Sequence, residues 1–369
     1  MKLRRFLKWT AVAIPLVLLG WFAFAWFSSS NACDTAAGST PANPTRAIVY
    51  CEYGLTEVLK LEQIEKPVPE DDQILVKVHA AAANPLDWHY MRGTPYLMRM
   101  MTGLRKPKDI RLGVDYAGTV EAIGRKVTEF KPGDDVFGGR TGAFAEYVVA
   151  RESGSVVLKP SEITFEQAAA LPIAAVTALQ GLRQGKLAPG QKVLINGASG
   201  GVGTFAVQIA HSLGAVVTGV CSTRNLEMVR SLGADKIIDY TQADYTQSGE
   251  KYDVILDNVG NRSLLENRRV LTENGKYVLI GGGGPDNGRW LGPMMGPVKA
   301  MFLSPFIKQE MGLMLADLNK EDLTLLAGLM QSGDVTAIID RRYKLSEVPE
   351  AIRYLETGRA RGKVIITME

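Results

Sequence analysis

Val193-Leu-Ile-Asn-Gly-Ala-Ser-Gly-Gly-Val-Gly203 decides the fold. Its apolar opening, 193–195, reads as a buried parallel strand. Gly197, Gly200 and Gly203 follow at three-residue spacing, and residues 204–213 are then apolar at helical spacing. Strand, glycine turn and helix together form the phosphate-gripping start of a dinucleotide fold. The first glycine permits the tight turn, the second lets backbone approach a pyrophosphate, and the third lets the helix pack close to the strand. The helix start adds unpaired N–H groups and the positive end of its dipole. Gly197, Ser199, Gly200, Gly201, Val202 and Gly203 therefore form the predicted phosphate cradle. The plainer alternative is an ordinary strand–helix turn.

The next predicted strand, 216–220, ends about 20 residues past the turn, where a site selecting NAD would carry Asp or Glu for the ribose hydroxyls. Cys221-Ser222-Thr223-Arg224-Asn225 stands there instead. No carboxylate repels a 2′-phosphate, and Arg224 can grip one through its fork of N–H donors. Ser222 can donate as well. The pattern predicts NADP(H) over NAD(H). The alternative is that Arg224 is a solvated surface charge, partly offset by Glu227 in the next helix.

Strand and helix keep alternating from 191 to 284, with strands at 193–196, 216–220, 236–239, 254–257 and 277–280. Such alternation predicts a parallel sheet with helices on both faces, and a ligand at the carboxyl ends of its strands. Asn258, Gly260 and Gly281-Gly282 fall there, although each is also an ordinary turn former. Residues 46–160 are β-rich and punctuated by glycine turns. An Ala-rich helix, 166–182, is interrupted at Pro172. A stretch rich in Met, Phe and Pro, 285–314, precedes an amphipathic helix at 320–331. The chain closes with a helix, 346–357, and a strand, 363–367, expected to rejoin the amino-terminal β domain.

With 369 residues the chain can fill two cores, and 46% hydrophobic against 22% charged residues suits a globular α/β protein. A net charge of +3 leaves no nucleic-acid footprint. Cys33, Cys51 and Cys221 show no paired spacing, which argues against a disulfide scaffold or a Cys-rich zinc knuckle. A catalytic zinc needs three clustered ligands. The histidines are His79, His89 and His211, the last on the nucleotide-domain helix, so no metal site is predicted.

The amino end differs in kind. Lys2, Arg4, Arg5 and Lys8 precede an uncharged segment, 9–27, close to the roughly 20 residues that span a bilayer. Residues 28–45, rich in Ser, Ala, Thr and Pro, read as a flexible tether. A retained anchor, a cleaved signal peptide and a lipoprotein signal ending at Cys33 compete. The length of the apolar core favours the anchor. This predicts one transmembrane helix touching the bilayer through 9–27, and a single-pass protein of the plasma or inner membrane. The side stays open. The basic end should remain cytoplasmic, which would put the body opposite a cytosolic cofactor. Arg4-Arg5-Phe6-Leu7-Lys8 only imperfectly resembles a twin-arginine export motif.

Further landmarks occur in order: Asn84-Pro-Leu-Asp-Trp88 with Arg92-Gly93, Gly113-Val-Asp-Tyr-Ala-Gly118, Lys131-Pro-Gly-Asp134, Gly142-Ala-Phe-Ala-Glu-Tyr147, Ala170-Leu-Pro172 with Thr177-Ala178, the glycine turn, and 358–364. This set resembles the zinc-independent branch of the medium-chain dehydrogenase/reductase superfamily, of the quinone oxidoreductase and ζ-crystallin type, over about 46–367. The resemblance implies a GroES-like β domain plus a Rossmann doubly wound parallel sheet, with the active cleft between them. It also implies a homodimer through Rossmann sheet edges. The expected segments are an anchor at 1–27, a linker at 28–45, the first part of the GroES-like domain at 46–165, the Rossmann domain at 166–314, and a return to the first domain at 315–369. Zinc-using relatives carry Cys near Asn84 and a His-Glu pair where Val114-Asp115 stands here.

Without a metal, hydrogen bonds must polarise the substrate carbonyl. Quinones and α,β-unsaturated carbonyl compounds suit this, because their reduced oxyanion is delocalised. The resemblance implies hydride transfer from NADPH to such a substrate. Asn84 is the expected oxyanion donor by its place in the matched segment. Tyr90 is the expected proton donor, though a packed core tyrosine fits it equally. Thr177 and Tyr240 are expected at the cofactor, Tyr240 near the adenosine phosphate. Two rivals are a non-catalytic NADPH-binding membrane scaffold or sensor, and a zinc-free alcohol or aldehyde dehydrogenase. Two greasy basic stretches, 91–108 with Arg99 and Arg105, and 290–306, are candidates for a lipid-facing rim. An interdomain loop or dimer contact is the alternative.

Overall fold

A computed structural model describes Cys33 and residues 40–281 and 308–368. Strand β1, Pro44–Val49, pairs antiparallel with β2, Lys60–Glu65. Strand β1 thus starts within the last two residues of the stretch expected to be a linker. A distant partner holds it: the Thr45 hydroxyl and the Arg46 amide both bond the Glu146 carboxylate, at 3.0 and 2.7 Å. A second correction concerns the cysteines. Cys33 and Cys51 form a disulfide across 18 positions. Two cysteines need only approach in space, which short-range spacing does not report.

The first large sheet is built on β3, Gln73–Ala83, most of whose side chains are buried, with Lys77 and His79 exposed. Helix α1, Pro85–Arg92, leaves its end. Pro85 sits in the first turn, where its missing N–H costs nothing, and Asn84 and Asp87 close a capping box. β4 (Asp115–Ile123), β5 (Asp135–Gly139), β6 (Tyr147–Arg151) and β7 (Val156–Leu158) complete most of the sheet. Two helices lead onward, α2 (Phe165–Ala169) and α3 (Pro172–Gln184). The break falls where Pro172 restarts the helix, as expected.

The second sheet is parallel. Its strands are β8 (Lys192–Asn196), β9 (Val216–Cys221), β10 (Lys236–Asp239), β11 (Tyr252–Asp257), β12 (Leu271–Leu279) and β13 (Glu310–Leu313). Helix α4, Gly201–Ser212, follows β8, and α5, Leu226–Ser231, follows β9. The spatial order is β10-β9-β8-β11-β12-β13. The order reverses between β8 and β11, and ligands of such sheets bind outside the strand ends at that switch.

Helix α6, Lys320–Gln331, packs on α3 and on β7. Strand β14 (Ile339–Lys344), helix α7 (Val348–Glu356) and strand β15 (Lys363–Thr367) end the chain. β15 pairs antiparallel with β3, so the last strand does rejoin the first sheet. One apolar core runs from Ala80, Ala117 and Phe137 in the first sheet through α3 into Val193 and Ile195 of the second. The two sheets are thereby fixed against one another, with the switch point at their junction.

Among the described residues no helix is long and apolar enough to cross a membrane. The expected spanning segment, 9–27, and the stretch 290–306 lie outside the described residues. In the basic stretch expected as a rim, Met100 and Met101 are exposed. The half-buried Arg99 side chain donates to the Gly93 and Arg92 carbonyls, at 2.8 and 3.2 Å, and lies over the Tyr53 and Tyr96 rings. It closes the carboxyl end of α1.

Candidate functional site

The glycine turn has the predicted shape. Gly197 has φ +77°, the left-handed region that favours glycine. A Cβ on Gly203 would lie 2.1 Å from the Gly197 carbonyl oxygen, so only glycine lets α4 seat on the turn. On Gly200 a Cβ would meet nothing nearer than 3.5 Å. That outer side is open, as backbone approach of a pyrophosphate requires. Gly201 and Val202 begin α4. The return loop is laced to this turn: the Gly362 amide donates to the Ser199 carbonyl at 2.9 Å, and Gly200 bridges Gly362.

At the adenosine end, Arg224 is exposed and donates to the Arg359 carbonyl at 2.6 Å. Arg359 in turn reaches the Tyr240 hydroxyl at 3.4 Å. Two guanidinium groups and a phenol therefore converge beside Ser222. Glu227 pairs with Arg230, not with Arg224, so it does not neutralise the subsite. Arg359 comes from the far end of the chain and was invisible to local motif reading.

The ends of β8, β11 and β12 are tied by Asp257, which is fully buried. Its Oδ1 accepts from Asn196 Nδ2 and from the Val259 and Gly260 amides, at 2.8, 3.0 and 2.9 Å; its Oδ2 accepts from the Tyr277 hydroxyl at 2.7 Å. The Gly281 amide bonds the Asp257 carbonyl at 3.3 Å. This holds Asn258 at the switch point. Asn258 Nδ2 donates to the Asn196 carbonyl at 3.0 Å, while its Oδ1 is buried without a partner. An orphaned acceptor beside an open glycine turn suits a ligand hydroxyl or amide. The donors, the open turn and this acceptor fit a dinucleotide.

The substrate end is closed by four polar side chains. Asn84, Asp87, Asp115 and Lys363 are all buried. Asn84 Nδ2 donates to the Ala82 carbonyl at 3.1 Å and to Asp115 Oδ2 at 3.0 Å; its Oδ1 accepts from Lys363 Nζ at 2.5 Å. Both amide protons are taken, so Asn84 has none for a substrate. This corrects the role expected of it. Lys363 also pairs with Asp115 Oδ2 at 3.2 Å, and the Ile173 amide at the start of α3 donates to Asp115 Oδ1 at 3.0 Å. A Cβ on Gly201 would lie 3.2 Å from Lys363 Cδ, so the lysine stem runs beneath the first turn of α4. Thr177 is buried on α3 nearby. Burial raises the Asp115 pKa against the opposing pull of Lys363. Burial likewise pushes Asp87 up to about 8, so it is largely protonated at neutral pH. Tyr90, half-buried on α1, is raised by burial first and by Asp87 second, and stays protonated. Sequence reading placed Asp115 in a matched motif but gave Lys363 no role; a lysine opening an apolar strand was the available signal.

No group of three or more His, Cys, Asp or Glu among the described residues could hold a metal ion.

Comparison with known proteins agrees with this geometry. Residues 70–161 match the alcohol dehydrogenase GroES-like domain, and residues 232–366 match a family described as zinc-binding dehydrogenase. The chain is 34% identical over 354 residues to a 2-methylene-furan-3-one reductase of Solanum lycopersicum, covering 92% of this chain and 83% of that one. It is 34% identical over 355 residues to a chloroplastic NADPH-dependent alkenal/one oxidoreductase of Arabidopsis thaliana, with the same coverage of 92% and 83%. A quinone oxidoreductase from Coxiella burnetii superposes with a TM-score of 0.78 at 30% identity, over 89% of this chain and all of that one. The expected membrane-anchored, single-pass localisation is corrected to what is found: no helix among the described residues, which exclude 9–27, is long and apolar enough to cross a membrane, and the Arabidopsis relative bears a chloroplastic name. From the two matched domains, the identities and the laced glycine turn, the chain belongs to the zinc-independent, quinone-oxidoreductase-like group of the medium-chain dehydrogenase/reductase superfamily, whose cofactor is NADP(H).

Proposed function

We propose that this protein uses NADPH to reduce quinones and α,β-unsaturated ketones or aldehydes without a metal ion. The observation that carries the reading is an open glycine turn with Arg224, Arg359 and Tyr240 linked on one side and Lys363 packed beneath it on the other. Bound NADPH supplies a hydride. The chain's own residues hold and orient the cofactor and supply charge and a proton. Gly197 to Gly203, with the amino end of α4, take the pyrophosphate. Ser222, Arg224, Tyr240 and Arg359 take the ribose phosphate. Asn258 and Gly281, at the strand ends, border the nicotinamide side.

Lys363 places a buried ammonium, paired with Asp115, beneath the first turn of α4, on the inner side of the turn that takes the pyrophosphate. Asn84 is a positioning residue that holds the Lys363 ammonium through Oδ1. The Tyr90 hydroxyl, kept protonated by burial, gives the proton. A homodimer is proposed through the edge of β13, which ends the sheet among the described residues; sedimentation velocity reads it directly.

The test follows NADPH absorbance with the full chain, using benzoquinone, methyl vinyl ketone and a saturated aldehyde, with and without a chelator. Turnover of the first two, unchanged by chelation, is expected. Oxidation of NADPH by none of them, despite tight binding, would replace the reading with a binding protein. Loss on chelation restored by Zn²⁺ would overturn the metal-free chemistry.

A further inference from the structure

We infer that Asn225 sets the preference for a phosphorylated ribose by orienting the protons of the Ser199 and Ser222 hydroxyls away from its own amide and toward a ligand. The inference rests on the NADPH reading above and adds a positioning residue that the glycine motif and the two arginines do not supply.

Asn225 follows Arg224 and is 4% exposed. Its Nδ2 donates to Ser199 Oγ at 2.9 Å and to Ser222 Oγ at 3.3 Å. Ser199 lies in the glycine turn after β8 and Ser222 just after β9, so one buried amide grips both walls of the adenosine subsite. A hydroxyl carries one proton and two acceptor positions. Once an acceptor position is filled by Asn225, the hydroxyl's own proton must point away from the amide. Neither serine hydroxyl donates to another protein group among the described residues.

Hydrogen-bond accounting fixes the direction of this polarity. With the amide as found, Oδ1 alone is buried without a partner. With the amide reversed, Oδ1 would accept both serine protons and both Nδ2 hydrogens would be buried without acceptors. Two orphaned donors cost more than one orphaned acceptor. The nearby carboxylate does not spoil the set: Asp239 is covered by the Thr223 and Thr241 hydroxyls at 2.5 and 2.7 Å.

The result is a subsite of two guanidinium groups and two outward hydroxyl protons. A phosphate dianion satisfies all of them. A ribose 2′-hydroxyl carries no charge and one oxygen where the phosphate offers three, so it satisfies fewer of these donors and NADH is disfavoured.

Titration calorimetry on the full chain with 2′,5′-ADP and 5′-AMP isolates the ribose phosphate from turnover. The unaltered protein should bind 2′,5′-ADP more tightly, and Arg224→Ala should cut that preference about tenfold, near 1.4 kcal/mol. Asn225→Asp can only accept; it turns both serine protons inward and should cut the preference by at least as much, with 5′-AMP affinity nearly unchanged. The negative charge that this substitution adds is separated from the loss of polarity by the double variant Ser199→Ala/Ser222→Ala, which should lose preference by itself. Asn225→Ala should then cost nothing further in that background. An unchanged preference in the double serine variant, or fully additive losses with Asn225→Ala, would overturn the role of Asn225, even if Asn225→Asp fails to fold. If Arg224→Ala loses the preference while the Asn225 and serine variants keep it, this inference fails and the NADPH reading stands. If the unaltered protein shows no preference, both fail.

Discussion

The two ends of the cleft are built in opposite ways. The adenosine end presents exposed cations and hydroxyls on loops that follow successive strands. The substrate end hides an ion pair, an amide and a largely protonated acid behind β3, β4 and β15. Screening by solvent makes each contact at the first end modest, and several must act together. Burial makes each contact at the second end expensive to break. In the proposed function, one end therefore selects the cofactor through many small terms, while the other fixes the geometry of the cleft through a few large ones.

The largest effect should come from breaking the buried pair. Lys363→Met leaves Asp115 without its counter-charge and should cost about 3–5 kcal/mol in urea unfolding. The loss should shrink at low pH, where Asp115 protonates, and Lys363→Met/Asp115→Asn should recover much of it. A loss below about 1 kcal/mol would show that the substrate end is no more rigid than the other.

Tyr90→Phe comes next. If Tyr90 gives the proton, kcat should fall about a hundredfold with NADPH affinity intact. A change confined to KM would return Tyr90 to a packing role.

At the adenosine end the changes should be smaller. Arg359→Ala should raise KM for NADPH about tenfold and leave KM for NADH nearly unchanged. Equal effects on both cofactors would mean that the return loop contributes only to folding.

Asp87 is read through pH rather than through a loss at one pH. Its pKa rises from 3.8 to about 8 through burial, so the folded state holds a proton that the unfolded state releases. Stability should therefore fall as pH rises from about 4 to about 8, by no more than about 1.4 kcal/mol per unit, and level off above. Asp87→Asn should flatten that slope. An unchanged slope in thermal unfolding would place the titration elsewhere.

The contrast between the two ends also explains what the sequence disclosed. The glycine turn, Arg224 and Tyr240 lie within one strand–helix–strand–helix–strand run, so local spacing carried the nucleotide reading. Strand β15 and the restart at Pro172 were legible for the same reason: period and helix-start chemistry are local. The substrate end joins Lys363 to Asn84 across 279 positions. No spacing rule reaches that far. Asn84 was singled out by its motif as an oxyanion donor, yet its amide protons are spent on Ala82 and Asp115, which only the packed fold reveals. Arg359 and the Cys33–Cys51 bridge were hidden likewise, since both depend on chain segments meeting in space.

The most direct test carries deuterium at both positions of nicotinamide C4 of NADPH, with methyl vinyl ketone as acceptor, the full chain as catalyst and chelator present throughout. One deuterium at the β-carbon of the saturated ketone is the predicted product, read by mass spectrometry. Product bearing only solvent hydrogen at that carbon, or no product until Zn²⁺ is added, would contradict metal-free hydride transfer in this cleft.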